Sequence, residues 1–276
     1  MTTRPHARLV GAAGVVMATL GLVLAACGTT SPSAAPSAGA PTPAPSSGGG
    51  GTLTVFAAAS LKTTFGELGS MFEAAHPGVT VSFNVGGSSD LVAQLSQGAP
   101  GDVFASADER NMAKAVDAGL VTGTPTPFAS NTLTIVTAPG NPKQVTDLKN
   151  LAVQSTSGAT VVVCAAPVPC GAATLAAEKA AGVDIKPVSE EQSVTDVLGK
   201  VTSGQADAGL VYVTDAKSAG DTVAVVSFPE SKDAVNVYPI AALTRAKDQA
   251  TAQAFVDFVA GPDGQAVLSE AGFGAP

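Results

Sequence analysis

Histidine is nearly absent from this chain of 276 residues: His6 lies in an apolar leader and His76 beside Pro77 at the end of a helical pattern, and there are no others. Without a positioned imidazole, neither a Ser-His-Asp nor a Cys-His arrangement has a base, so a serine hydrolase using Ser60 or Ser88 as nucleophile is disfavoured. His76 reads as a surface residue closing a helix. Basic residues are also scarce, at 14 Lys and Arg against 22 Asp and Glu. Removing a leader that carries Arg4 and Arg8 leaves 12 against 22, a net charge of about minus ten. The clustered Lys and Arg of a nucleic-acid-binding surface are missing. Neither a Walker A phosphate loop nor a dinucleotide glycine fingerprint stands at a strand-to-helix junction, and the adjacent carboxylates Glu190 and Glu191 read as solvated charge. An anionic ligand would have to be held by local amides and hydroxyls rather than by the overall field.

What is present begins with targeting. Arg4 and Arg8 precede an apolar run from Leu9 to Ala26, and Leu24-Ala25-Ala26-Cys27 resembles the lipobox at which bacterial lipoproteins are cleaved and lipidated on cysteine. An uncleaved membrane helix is the alternative, the run being just long enough to span; the small residues before Cys27 suit a signal peptidase better. Either way the rest of the chain is expected outside the cytoplasmic membrane. Gly28 to Gly51 are almost all Ser, Thr, Ala, Pro and Gly, cannot bury a core and are expected to form a mobile tether. The folded part is expected from Thr52, leaving 225 residues for one large domain or two lobes. With Cys27 assigned to lipid, Cys164 and Cys170 remain, five residues between them, in an oxidising compartment. A disulfide is expected; two thiols with no histidine nearby do not complete a zinc site.

The chain is organised around Thr52 to Leu61, where a strand runs straight into a helix. Leu53 and Val55 alternate with threonines, and Leu61, Phe65, Leu68, Phe72 and Ala75 then follow helical spacing. Ser60 stands where the period changes. It is placed either to cap the helix or to join the unpartnered amides of its first turn in holding an anion. The pattern recurs: a strand at Val79 to Phe83 enters Gly86-Gly87-Ser88-Ser89 and another helix, with Asp90 read as a first-turn residue facing solvent. Further elements are a strand Asp102 to Ala105, a helix Asp108 to Ala118, a loop Thr122 to Pro127 and a strand Leu133 to Thr137. After these come a strand Ala159 to Val163, a helix Gly171 to Ala181, a short strand Ile185 to Val188 and a helix opening at Ser193. Strands Ala206 to Val213, Val223 to Phe228 and Val235 to Leu243 precede two helices, Asp248 to Val259 and Pro262 to Ala271. The alternation predicts α/β lobes with largely parallel sheets. Several helix starts carry small polar residues, namely Ser60, Ser88 with Ser89, Cys170-Gly171 and Ser193-Val194. Together they suggest a cleft in which helix N-termini converge on one anion.

Six segments in order, Val55-Phe-Ala-Ala-Ala-Ser-Leu61, Gly87-Ser-Ser-Asp-Leu91, Gly98-Ala-Pro-Gly-Asp-Val-Phe104, Val168-Pro-Cys-Gly171, Gly209-Leu-Val-Tyr212 with Asp215-Ala216, and Tyr238-Pro-Ile240, resemble the substrate-binding proteins of molybdate ABC transporters. The resemblance spans essentially all of 52–276. It implies a type II periplasmic-binding-protein-like fold of two α/β lobes joined by two crossing segments. Residues 52–131 and 236–276 would form lobe 1, and 132–235 lobe 2. It implies oxyanion contacts from Ser60 and Ser88 by hydroxyl and amide, from Cys170 and Val194 by backbone amide, and from Tyr212 by its phenol. The family usually has alanine where Cys170 stands, a change that a backbone contact tolerates. No catalytic residue and no cofactor are implied. The implied ligand is molybdate or tungstate, the partners are an ABC permease and, through Cys27, the membrane, and the chain is expected to be a monomer. All the proposed groups are donors, which suits a fully deprotonated tetrahedral dianion. Hydrogen phosphate would want an acceptor, whereas sulfate remains an alternative because the donor set does not encode cavity size.

Overall fold

The computed structural model describes residues 50–276; the leader, Cys27 and all but the end of the tether lie outside the described residues. The first sheet is built from β1 (Gly51–Ala58), β2 (Val79–Gly86), β3 (Val103–Ala105) and β4 (Thr126–Asn131), with α1 (Lys62–Ala75), α2 (Ser88–Ser96) and α3 (Glu109–Asp117) between them. The second uses β5 (Leu133–Thr137), β6 (Val161–Cys164), β7 (Ser189–Glu191), β8 (Ala208–Tyr212) and β9 (Ala224–Val226). Its helices are α4 (Leu148–Thr156), α5 (Pro169–Ala181), α6 (Val194–Thr202) and α7 (Val213–Ala219). The chain then returns through β10 (Asn236–Ala242) to the first sheet and ends in α8 (Gln249–Ala260) and α9 (Pro262–Ala271). The sheet orders are β2-β1-β3-β10-β4 and β7-β6-β8-β5-β9. Strands β1, β2 and β3 run parallel, as do β6, β7 and β8, whereas β10 runs against β3 and β4, and β5 against β8 and β9.

Period-two alternation decides which way each strand of the first sheet packs. Leu53, Val55 and Ala57 of β1, with Val103 and Ala105 of β3 and Tyr238 and Ile240 of β10, join Phe65, Phe72 and Phe255 in one core. Phe56, Phe104 and Ala241 point the other way, onto Leu91, Val92 and Met112 of α2 and α3. Both faces being covered explains why these strands read as nearly continuous apolar runs. The second sheet has its own core around Ile135, Val162, Val197 and Leu210.

Local readings failed where pairing outweighed pattern. Ile185 to Val188, expected as a strand, is not one; the strand is the polar stretch Ser189–Glu191, made by parallel pairing to Val162, Val163 and Cys164. The expected loop Thr122 to Pro127 ends inside β4, which pairs with β10 across a register shift at Tyr238 and Pro239. Helices α4 and α7 had no sequence expectation. The Ser60 hydroxyl does not cap: the short 3-10 turn Ala59–Leu61 and α1 behind it have no side-chain cap, because that hydroxyl is bonded elsewhere.

Candidate functional site

A parallel strand followed by a helix delivers the helix N-terminus to the strand's carboxyl end, the edge where α/β sheets hold ligands. Here that happens five times. Ser60 follows β1, Ser88 opens α2 after β2, Cys170 lies in the first turn of α5 after β6, Val194 opens α6 after β7, and Tyr212 is the last residue of β8. All five line one small cavity of about 10 Å³ between the two sheets, with Gly86, Gly87, Ala107 and Val168 among its other walls. Ser89 does not line it, although its hydroxyl is buried without a partner. Asp90 is exposed, as its first-turn position suggested. His76 stacks on Phe72 at the end of α1, 3.9 Å between ring centroids.

The polarity of the cavity follows from its hydrogen bonds. Ser88 is 1% exposed, and its Oγ accepts from the Ala107 amide at 3.0 Å, so its proton is free for another partner. Ser60 Oγ lies 3.0 Å from the hydroxyl of Tyr238, a residue sequence reasoning noted within a motif but gave no role. Tyr212 is 1% exposed and its hydroxyl has no partner among the described residues. A buried phenol left unpaired costs about 1–3 kcal/mol, a cost that a bound acceptor would remove. Burial pushes the phenols of Tyr212 and Tyr238 above their ordinary value, so both keep their protons and remain donors. The amides at the starts of α2, α5 and α6 have no intrahelical acceptor and add partial positive charge. Among the described residues no group of His, Cys, Asp and Glu could hold a metal cation.

Two devices hold the cavity walls. Cys164 at the end of β6 is disulfide-bonded to Cys170, with 5.6 Å between Cα atoms. This folds the loop so tightly that a Cβ on Gly171 would sit 2.0 Å from the Ala165 carbonyl oxygen. Contacts between the two halves do the rest. Arg110 of α3 donates to the Ala166 and Pro167 carbonyls of that loop at 3.0 Å each. Asn131 donates to Thr214 Oγ1 at 2.7 Å, and Gly87 approaches Gln192 so closely that a side-chain carbon would meet its carbonyl oxygen at 2.1 Å.

Two buried carboxylates stand close by, Asp108, which follows the wall residue Ala107 and is 8% exposed, and Asp215. Asp215 in α7 is 6% exposed and accepts the Tyr212 amide at 3.1 Å. Burial raises its pKa from the usual 3.8 to about 7. It lines a wider groove of about 450 Å³ that shares Ala59 and Ser60 with the small cavity. Sequence reasoning named Asp215 only as part of a motif; its burial had no local signal.

Residues 53–274 match the family model described as bacterial extracellular solute-binding protein. The molybdate-binding protein ModA of Mycobacterium tuberculosis is 49% identical over 263 residues, covering 95% of this chain and 97% of the relative. ModA of Escherichia coli is 30% identical over 230 residues, covering 81% and 89%. Among solved structures, the periplasmic molybdate-binding protein of Azotobacter vinelandii superposes with a TM-score of 0.70 at 23% identity, covering 81% of this chain and 99% of that one. The sulfate-binding protein SubI of M. tuberculosis gives 0.68 at 21% identity, covering 80% and 86%. The two-lobed fold, with helix starts from both halves turned onto one cavity, agrees with these matches, and the chain belongs to the family of bacterial extracellular solute-binding proteins.

Proposed function

We propose that this chain captures molybdate, and tungstate with it, between its two lobes and delivers the anion to an ABC permease. The observation that carries this reading is the convergence of Ser60, Ser88, Cys170, Val194 and Tyr212 on one small cavity, with the Tyr212 hydroxyl lacking a partner there. Every group offered is an uncharged donor, so the site suits a dianion whose four oxygens only accept. Hydrogen phosphate would need one of these hydroxyls to turn and accept its proton. The name of the relative at 49% identity favours molybdate over sulfate; the donor set alone suits both.

Lobe 1 comprises residues 52–131 and 236–276, and lobe 2 residues 132–235. This division is supported by the passage from β4 to β5 across Thr132 and by the return to the first sheet at β10. The chain acts as a monomer, anchored to the outer face of the cell membrane through lipid on Cys27, with Gly28 to Gly51 as the tether. Calorimetry with molybdate, tungstate, sulfate and phosphate tests the ligand. Molybdate and tungstate are expected to bind far more tightly than phosphate, and a stronger sulfate signal or no molybdate heat overturns the assignment. Cys27→Ser is expected to release the protein from membranes into the medium.

A further inference from the structure

We propose that Tyr238 is the positioning residue that fixes the direction of the Ser60 hydroxyl, making it a donor to the ligand and thereby excluding protonated oxyanions. The inference rests on reading the small cavity as an oxyanion site. Tyr238 is fully buried in β10, and among the described residues its hydroxyl has Ser60 Oγ, at 3.0 Å, as its hydrogen-bond partner. Either oxygen can donate by distance alone. Burial breaks the tie. If Ser60 donated, the Tyr238 proton would have only the neighbouring Asn131 and Tyr212 side chains to turn to, neither of which lies in hydrogen-bond geometry with it, which is the costly arrangement. If Tyr238 donates, the Ser60 proton turns to the cavity that Ser60 lines, where an anion accepts it.

The same order holds across the cavity without ambiguity. The Ala107 amide can only donate, so Ser88 Oγ accepts at 3.0 Å and its proton is the group left over. Two serines from separate helix starts are therefore each oriented by a fixed donor behind them, a phenol in one case and an amide in the other. An incoming O–H, as on hydrogen phosphate, meets protons at both serines. The Tyr238 ring is held independently of its hydroxyl, packed edge-on with Phe128, Tyr212 and Phe273 at centroid distances of 6.2, 5.9 and 5.5 Å. Phenylalanine at this position keeps those contacts.

The test is a double-mutant cycle on the full chain: wild type, Tyr238→Phe, Ser60→Ala and the double variant, titrated calorimetrically with molybdate, sulfate and phosphate. In Tyr238→Phe the Ser60 hydroxyl is free to turn and accept. Molybdate affinity is expected to fall about tenfold, and the molybdate-to-phosphate affinity ratio to narrow by about the same factor. In the Ser60→Ala background, Tyr238→Phe is expected to change neither quantity, because the hydroxyl it orients is gone. A purely structural role for Tyr238 would weaken all anions together and would add to Ser60→Ala. Unchanged selectivity in Tyr238→Phe, or additive effects in the cycle, overturns the proposal. A wild-type chain that takes sulfate alone refutes the molybdate reading while the sulfate arm still tests Tyr238; a chain that takes neither refutes both.

Discussion

Gly87→Ala offers a clean test of whether the two halves must close for the anion to be held. Gly87 has φ of −64° and ψ of 136°, ordinary values for alanine, so the substitution introduces no local strain. In the closed arrangement, however, the new carbon would lie 2.1 Å from the Gln192 carbonyl oxygen on the other lobe. That carbonyl stands between β7 and the Ser193 cap of α6 and cannot swing aside as a side chain would. Relief requires the lobes to separate at this point by about an ångström, which takes hydrogen bonds of ~2.9 Å beyond useful range. The proposed donors divide across that gap, Ser60 and Ser88 on one side and Cys170, Val194 and Tyr212 on the other. Losing two charge-assisted bonds at about 1.5–3 kcal/mol each weakens binding by roughly 10² to 10⁴-fold. Ligand-free stability in a denaturant titration should be unchanged or up by about 0.4–1 kcal/mol, since alanine restricts the unfolded chain. Wild-type affinity in a correctly folded Gly87→Ala would refute the closed cavity as the binding state.

Asp215 gives a pH signature. Its pKa is about 7 when folded against 3.8 for an ordinary carboxyl. The native state therefore holds the proton more strongly, and stability falls as pH rises between those values and levels off above. The full effect is about 4 kcal/mol for one group. Asp215→Asn, which can still accept the Tyr212 amide, should flatten that slope in pH-dependent denaturation; parallel curves for the two proteins would refute the account. Replacing Cys164 and Cys170 together by serine should cost about 2 kcal/mol in the chain-entropy view and weaken anion binding as the Cys170 amide loses its anchor, read by melting and calorimetry against the reduced wild type. Arg110→Ala removes two donors to the disulfide loop from the other lobe. It should weaken binding by up to about tenfold, mainly through faster release in stopped-flow measurements, with ligand-free stability little changed; unaltered release rates would remove Arg110 from the closure.

The acidic balance of the chain sharpens the physical question of how it holds a dianion. Oriented amides at helix starts, and the Ser60 and Ser88 hydroxyls already bonded from behind, do not need to reorganise when the charge arrives. The field of the surface, set by 22 acidic residues, is screened within about 10 Å at ordinary ionic strength. Of the two buried carboxylates near Tyr212, Asp108 and Asp215, burial raises the second to about 7, so that it is protonated in part at neutral pH and repels an anion bound beside Tyr212 less.

The amino-acid order by itself determined the alternation of strands and helices, the small polar residues at the helix starts, the nearness of Cys164 to Cys170 and the scarcity of histidine. All of these are local, and local spacing carries them. Only the tertiary structure decided what Ser60 does. Its neighbours favour a cap, but its hydroxyl is taken by Tyr238, 178 residues away. The same holds for β7, whose polar sequence becomes a strand by pairing with β6, and for Asp215, whose burial depends on helices from both halves. Short-range pattern sets which conformations are cheap. Which hydroxyl faces a ligand, and with its proton or its lone pair, depends on partners that only the folded chain brings within 3 Å.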